Sequence, residues 1–180
     1  MGPDKLHHVI GIVKAYTTRV GAGPFPTELK DEIGNYMQER GCEFGATTGR
    51  RRRCGWLDLV AVKDAARLNG LTSLCVTKLD VLTGLKTLKI GVAYELDGKR
   101  VESMPASLNG LSRCVPVYEE LPGWHEDIAS ARKWNDLPAA ARNYLKRIEQ
   151  GVEVPFSIIS VGPGREESII LKDPFTTSPR

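Results

Sequence analysis

Apolar segments typical of strands alternate with helical periodicity along this chain, and this alternation restricts the fold more than any other feature. Val9 to Val20 is rich in β-branched residues, which favour a strand. Further strands are predicted at Ser73–Val76, Lys86–Leu96, Arg100–Ser103, Val115–Leu121, Phe156–Val161 and Glu167–Leu171. Because helices between strands allow parallel neighbours in one sheet, we predict an α/β fold with a mixed, partly parallel sheet flanked by helices.

Three helices are expected between these strands. Thr27 is a candidate cap for the first, which ends at Gly41 and has an apolar face made of Leu29, Ile33 and Met37. The polar, glycine-containing segment from Gly45 to Gly55 is predicted to be a loop. The second helix is expected from Asp58 to Asn69, with Gly70 at its end.

The third helix carries the strongest periodicity. Asp136 is its candidate cap, Pro138 suits its first turn, and its buried face is Ala141, Tyr144, Leu145 and Ile148. Asp97-Gly98 predicts a tight hairpin turn.

Composition agrees with one globular domain over residues 1–180, since 41% of the residues are hydrophobic and 26% are charged. No apolar run approaches the roughly 20 residues of a membrane span, and the first residues lack a secretion signal, so we expect a cytoplasmic protein. Cys42, Cys54, Cys75 and Cys114 are irregularly spaced and are expected to be reduced thiols that pack as small apolar groups. No metal ligands are predicted.

Thr77-Lys78-Leu79-Asp80 follows the apolar strand at Ser73–Val76. Guanine presents two adjacent donors, N1–H and the N2 amino group, and one carboxylate can accept from both. Lys78 can lay its aliphatic stem against a purine face. The segment therefore suggests guanine recognition, although an ordinary surface turn also fits four such residues.

A second candidate site is the segment Ala46-Thr47-Thr48-Gly49-Arg50-Arg51-Arg52. Hydroxyls, glycine amides and guanidinium groups together suit a small anion, and arginine binds carboxylates in a bidentate way. Only alternate residues of an extended loop face the same way, which favours Arg50 and Arg52 as a pair. A solvated basic turn or a nucleic-acid contact is the alternative, but the mild net charge of +3 argues against nucleic acid.

The third candidate is the turn Ser160-Val161-Gly162-Pro163 at the end of a strand, which offers a hydroxyl and backbone amides. In open α/β sheets, ligands bind beyond the carboxyl ends of strands, so this turn and Asp80 are expected near one another. By itself the motif is only a turn.

Taken in this order, the motifs resemble the adenylosuccinate synthetase family. The likeness runs over nearly the whole chain and is carried by Lys14–Gly21, Gly23–Leu29, Glu43–Arg53, Gly55–Asp58, Thr77–Leu82, Pro122–Trp124 and Asn143–Glu149. The resemblance implies the carboxy-terminal part of a larger P-loop-like, GTP-dependent ligase. GTP would phosphorylate the 6-oxygen of IMP, and L-aspartate would displace that phosphate to give adenylosuccinate on the route to AMP.

The resemblance also implies roles for individual residues. The aspartate-binding loop falls on Ala46, Thr47, Thr48, Gly49, Arg50, Arg51 and Arg52, with Arg50 also near IMP and Arg52 also on the GTP side. The guanine contacts fall on Lys78, Leu79, Asp80, Ser160, Val161 and Gly162. Gly164 departs from the family pattern, in which an acidic residue often follows Gly-Pro.

The resemblance further implies that a large amino-terminal part is missing. That part would supply the phosphate loop, the catalytic Asp and His, the Mg²⁺ ligands and most of the IMP site, and G-x-x-x-x-G-K-[ST] is absent here. No catalytic residue is therefore predicted in this chain, which should be inactive alone; the full-length protein is expected to be a homodimer. The alternative is a stand-alone, non-catalytic module that binds guanine nucleotides.

Overall fold

The computed structural model describes residues 7–173. Within that range the strands are β1 (Ile10–Lys14), β2 (Thr17–Arg19), β3 (Arg53–Gly55), β4 (Leu57–Asp58), β5 (Ser73–Thr77), β6 (Thr87–Leu96), β7 (Lys99–Val101), β8 (Val115–Pro122), β9 (Phe156–Ser160) and β10 (Ser168–Ile170). The helices are α1 (Glu32–Arg40), α2 (Leu59–Asn69), α3 (Leu108–Arg113) and α4 (Ala139–Val152). Strands and helices alternate, which confirms the predicted α/β class.

The main sheet has the strand order β1-β5-β9-β10. The first three strands are parallel and β10 is antiparallel to β9, so the sheet is mixed and partly parallel as predicted. β5 lies between β1 and β9 and brings Val76 opposite Ile159. The carboxyl ends of β5 and β9 therefore lie side by side at one edge.

A second sheet is built around β6. β8 pairs antiparallel along one side of β6, while β4 and β7 pair with its other side. Asp97 and Gly98 join β6 to β7, and both adopt positive φ angles (52° and 76°). Two positive φ angles are what a two-residue hairpin turn of this hand requires, so the hairpin prediction is confirmed.

The single strand predicted from Val9 to Val20 is wrong in one respect. The chain breaks at Ala15 and Tyr16, so β1 pairs with β5 whereas β2 pairs antiparallel with β3. The Tyr144 hydroxyl donates to the Ala15 carbonyl (2.6 Å), and the Tyr16 hydroxyl donates to a buried carboxylate (2.7 Å). Both contacts come from distant parts of the chain, which the local β-branched pattern does not encode.

Two predicted helix caps are also wrong. Asp31 rather than Thr27 caps α1, because its side chain accepts from the Gly34 amide (3.0 Å) while Thr27 is fully buried. Asp136 lies in a short 3₁₀ turn and accepts from the amides of Arg132 and Lys133, so α4 begins later, after Pro138.

The predicted boundaries of α2 are confirmed. Asp58 accepts from the Ala61 amide (3.1 Å), and Gly70 ends the helix in the left-handed conformation with φ of 58°. The segment expected to be a loop up to Gly55 instead contains β3, and α3 was not predicted at all. Ser107 caps α3 by accepting from the Gly110 amide (3.0 Å).

One hydrophobic core joins the two sheets and the longest helix. The face of α4 predicted to be apolar is buried, with Ala141, Tyr144, Leu145 and Ile148 each 0–1% exposed. These side chains belong to the same cluster as Val76 of β5, Ile90 of β6 and Ile159 of β9. No helix within residues 7–173 is long and apolar enough to cross a membrane.

Candidate functional site

Two of the three predicted motifs meet at the edge where β5 and β9 end. Lys78–Asp80 follows β5, and Val161 and Gly162 follow β9. Because the two strands are parallel neighbours, the turns after them are adjacent in space. The sequence predicted this meeting.

The turn after β5 is held in a fixed shape. Lys78 adopts a left-handed conformation with φ of 63°, and its ammonium group donates to the Gly41 carbonyl (2.5 Å). Leu79 is fully buried and anchors the 3₁₀ helix Leu79–Leu82 to the core. Asp80 is half-buried, and its carbonyl accepts from the Arg40 guanidinium (3.3 Å).

Asp80 lies in an environment that penalises its charge. Burial raises the pKa of its carboxyl above the usual value, although Lys78 and Arg40 act in the opposite direction. The Glu167 carboxylate adds a smaller contribution that also raises the pKa. A half-buried carboxylate of this kind gains from a ligand that offers two donors, because the ligand replaces lost hydration.

The turn after β9 is closed by a residue that sequence reasoning did not single out, Glu167. The Glu167 carbonyl accepts from the Val161 amide (2.9 Å), and its carboxylate accepts from the Gly164 amide. A Cβ atom on Gly162 would lie 2.5 Å from the same carboxylate. Glu167 thus brings a negative charge to the turn that contains Gly164.

The loop predicted to bind a small anion is the tip of a hairpin. The Gly45 amide donates to the Arg50 carbonyl (2.8 Å), and the Gly49 amide donates to the Gly45 carbonyl (2.8 Å). Ala46, Thr47, Thr48 and Gly49 lie at this tip and are exposed. The Thr48 hydroxyl accepts from the Arg50 amide (3.3 Å), which is a further local bond at the tip.

The four consecutive arginines have different surroundings. Arg50 and Arg51 are exposed. Arg53 donates two hydrogen bonds to the Glu28 carboxylate (2.7 and 2.6 Å). It therefore links β3 to the loop before α1. Arg52 contacts the Glu43 carboxylate (3.1 Å). The joint orientation of Arg50 and Arg52 stays a prediction.

Glu43 is the other residue that sequence reasoning missed. Its side chain is 1% exposed and accepts from Lys14 (2.7 Å), Tyr16 (2.7 Å) and Arg52 (3.1 Å). Burial alone would raise the pKa of its carboxyl, but these three donors outweigh burial and hold the pKa below the usual range. Its partners are remote in sequence, so no local pattern indicates the cluster.

The turn Gly41–Glu43 connects the two candidate sites. The carbonyl of its first residue accepts from Lys78, in the Thr77–Asp80 motif. The side chain of its last residue contacts Arg52, at the end of the segment Ala46–Arg52, which is called the basic loop below. The structure therefore places the motif after β5 and the basic loop on either side of one short turn.

The four cysteines are free thiols that differ in exposure. Cys54 and Cys114 are buried and Cys75 is half-buried, as expected for packing residues, whereas Cys42 is exposed and was wrongly included among them. Burial, together with the nearby Glu43 carboxylate, raises the pKa of the Cys54 thiol to about 11. Between His7 and Asp173, no three His, Cys, Asp or Glu side chains cluster closely enough to hold a metal ion.

Comparison with known proteins gives a consistent result. The family model "adenylosuccinate synthetase" matches residues 1–169. Adenylosuccinate synthetases from Desulfatibacillum aliphaticivorans and Carboxydothermus hydrogenoformans are 61% and 63% identical over 175 residues, which is 97% of this chain and 41% of each relative. A structure of fully ligated adenylosuccinate synthetase from Plasmodium falciparum superposes with a TM-score of 0.92 at 39% identity, over 96% of this chain and 42% of that chain.

The chain thus spans about two fifths of the length of the relatives it matches. The family model nevertheless covers nearly all of the chain, and the identity is far above what a shared fold alone produces. This chain belongs to the adenylosuccinate synthetase family.

Proposed function

We propose that this chain provides the guanine pocket and the aspartate-binding loop of a GTP-dependent ligase that joins IMP and L-aspartate. The product would be adenylosuccinate, on the route to AMP. The observation that carries the proposal is the shared edge at the ends of β5 and β9, where a half-buried carboxylate and a second, glycine-containing turn lie together. Family membership supplies the ligands that such a site would bind.

In the guanine pocket, Asp80 accepts from N1–H and from the N2 amino group of the base. Lys78 is already held by the Gly41 carbonyl, so its aliphatic stem is fixed beside the pocket. The buried Leu79 anchors the turn to the core. Ser160, Val161 and Gly162, at the end of β9, border the opposite edge of the pocket. Adenine lacks the two adjacent donors and would leave the Asp80 carboxylate unpaired, which is costly in a partly dehydrated site.

In the basic loop, Ala46 to Gly49 surround the amino acid, and Thr47 and Thr48 offer hydroxyls to it. Arg50 and Arg52 bind the carboxylates of L-aspartate, Arg50 also approaching IMP and Arg52 the GTP side. The exposed Arg51 completes the positive loop. These guanidinium groups bind carboxylates through paired, charge-assisted hydrogen bonds.

Because this chain spans only 41% of each relative, we expect the groups of the chemical step to lie outside its 180 residues. Phosphorylation of the 6-oxygen of IMP makes that oxygen a good leaving group, and magnesium lowers the barrier by offsetting phosphate charge. The described residues form no cluster suited to magnesium, so no step is assigned to a metal held here. From the resemblance to the family we expect the 180-residue chain to be inactive alone, and the complete protein to act in the cytoplasm as a homodimer.

Nucleotide binding by Asp80→Asn tests the guanine pocket. Asparagine offers a donor in place of one acceptor, so GDP affinity should fall about tenfold or more, the equivalent of one lost charge-assisted bond. Xanthosine 5′-diphosphate (XDP), whose base carries an oxygen at position 2, should gain affinity relative to GDP. Isothermal titration of both nucleotides against the purified chain measures the change.

Asp97→Asn is the matched control, because it removes the same charge from an exposed hairpin turn. It should leave both affinities unchanged. Equal GDP binding by wild type and Asp80→Asn would refute the guanine pocket. Adenylosuccinate formation by the purified chain would refute the expected inactivity.

A further inference from the structure

Glu43 joins three parts of the chain that are separate in sequence. Lys14 ends β1, Tyr16 lies in the break before β2, and Arg52 closes the basic loop. All three donate to the same carboxylate, at 2.7 to 3.1 Å. A carboxylate that is 1% exposed persists as an ion only where such donors replace its hydration.

The main chain of Arg52 does not need this carboxylate. Its amide donates to the Glu43 carbonyl (2.9 Å), and its carbonyl accepts from the Gln38 side chain (2.6 Å). Neither contact involves the Glu43 side chain. The contact between Nη1 and the Glu43 carboxylate instead involves the Arg52 side chain.

Glu43 engages only part of the Arg52 guanidinium, and the side chain stays partly exposed. A guanidinium has five N–H donors in a rigid fork, and one nitrogen, Nη1, bonds to Glu43. Nε is buried and has no hydrogen-bond partner among the described residues, and the side chain as a whole is 34% exposed. One nitrogen of the guanidinium is thus fixed by Glu43, while the exposed part of the same side chain can meet a ligand.

The charges also favour an anion. Lys14 and Arg52 carry two positive charges against the single negative charge of Glu43, and the Lys14 side chain is 26% exposed. A net positive cluster, with both cations partly exposed beside the basic loop, attracts carboxylates.

We propose that Glu43 is a positioning residue that holds Arg52, paired with Lys14 through the shared carboxylate, in the orientation that receives a dicarboxylate ligand. This inference rests on the proposed function of the loop. Holding the side chain in advance reduces the entropy lost on binding, because a free arginine must otherwise be ordered by the ligand itself.

The test uses the purified chain labelled with ¹⁵N-arginine. Glu43→Gln keeps the size of the side chain but removes its charge and turns a donor towards Lys14 or Arg52. We expect the Nε–Hε signal of Arg52 to broaden or shift to that of a mobile arginine. The dissociation constant for L-aspartate, followed by NMR titration, should rise about tenfold, in line with the loss of one charge-assisted contact.

Tyr16→Phe is the matched control, because it removes a different hydrogen bond from the same carboxylate and leaves Arg52 bound. It should destabilise the fold yet change neither the Arg52 signal nor the L-aspartate affinity. If Glu43→Gln does not fold, Glu43→Asp replaces it, since the shorter side chain keeps the charge but withdraws it from Arg52. The same two readouts then apply.

An unchanged Arg52 signal in the Glu43 variant overturns the proposal, as does unchanged L-aspartate affinity. An equal effect of Tyr16→Phe on both readouts also overturns it, because that result indicates a general loss of stability around the carboxylate rather than a specific effect on Arg52. A wild-type chain that binds no L-aspartate refutes the proposed role of the loop instead. The Arg52 signal still decides separately whether Glu43 orients that side chain.

Discussion

Two carboxylates in this molecule show opposite responses to burial. Glu43 is almost completely buried, yet its pKa lies below the usual range because three donors contact it. Asp80 is only half-buried, but its pKa is raised because the nearby cations do not fully offset burial. The protein itself supplies hydrogen-bond donors to the Glu43 carboxylate. The Asp80 carboxylate would be stabilised further by a ligand that donates hydrogen bonds to it.

This difference predicts the pH dependence of nucleotide binding. In the proposed pocket the ionised form of Asp80 is the one that accepts from guanine, so affinity should be full above its pKa and lost as the pH falls through it. Because that pKa is raised, the loss should begin at a higher pH than for an ordinary aspartate, whose pKa is about 3.9. GDP titrations between neutral and acidic pH measure the midpoint.

Asp80→Asn provides the comparison, since asparagine does not titrate and its residual GDP binding should be flat over the same range. A wild-type midpoint at or below that of an ordinary aspartate would contradict the assignment of Asp80 as the guanine acceptor.

At the scale of the elements, the end of α2 requires a left-handed backbone conformation at Gly70. Gly70 has a φ of 58°, and a Cβ atom there would meet nothing within 4 Å. Gly70→Ala should therefore lower the free energy of unfolding by about 1 kcal/mol through left-handed strain, without any steric clash. Urea unfolding monitored by circular dichroism measures the loss.

Gly70→Asn is the control, because asparagine tolerates the left-handed region better, and it should cost less than alanine. Equal stability of wild type and Gly70→Ala would show that this conformation is not what ends the helix.

The helix ends also show what local sequence encodes. Asp58 and Gly70 determine α2 through contacts within a few residues, and both were predicted correctly. Thr27 has the chemistry of a cap but is fully buried, so Asp31 caps α1 in its place. Which of several candidate residues caps a helix depends on the path of the chain before that helix. The local sequence pattern does not determine this path.

At the scale of the whole molecule, one hydrogen bond spans 129 positions of sequence. The buried Tyr144 hydroxyl of α4 donates to the Ala15 carbonyl (2.6 Å) at the break between β1 and β2. Tyr144→Phe should lower the free energy of unfolding by about 1–3 kcal/mol, because a buried carbonyl loses its donor. Thermal or urea unfolding measures the change.

Tyr118→Phe is the control for that substitution. Its ring is half-buried in the same core, but no hydrogen bond of its hydroxyl to another described residue would be lost. The change should be small, within about 0.5 kcal/mol. Equal effects of the two substitutions would indicate that the hydrogen bond to the Ala15 carbonyl does not stabilise the chain between β1 and β2.

The sequence by itself determined the α/β class, most strand positions and the pairing of the Asp80 and Ser160 turns. Those features follow from periodicity and from the rule that parallel strands end together. Only the tertiary structure decided the roles of Glu43, Glu167 and Arg53, and the division of the first strand at Ala15. These depend on contacts between distant segments, because a buried charge or carbonyl requires a partner and only the folded chain determines which one is near.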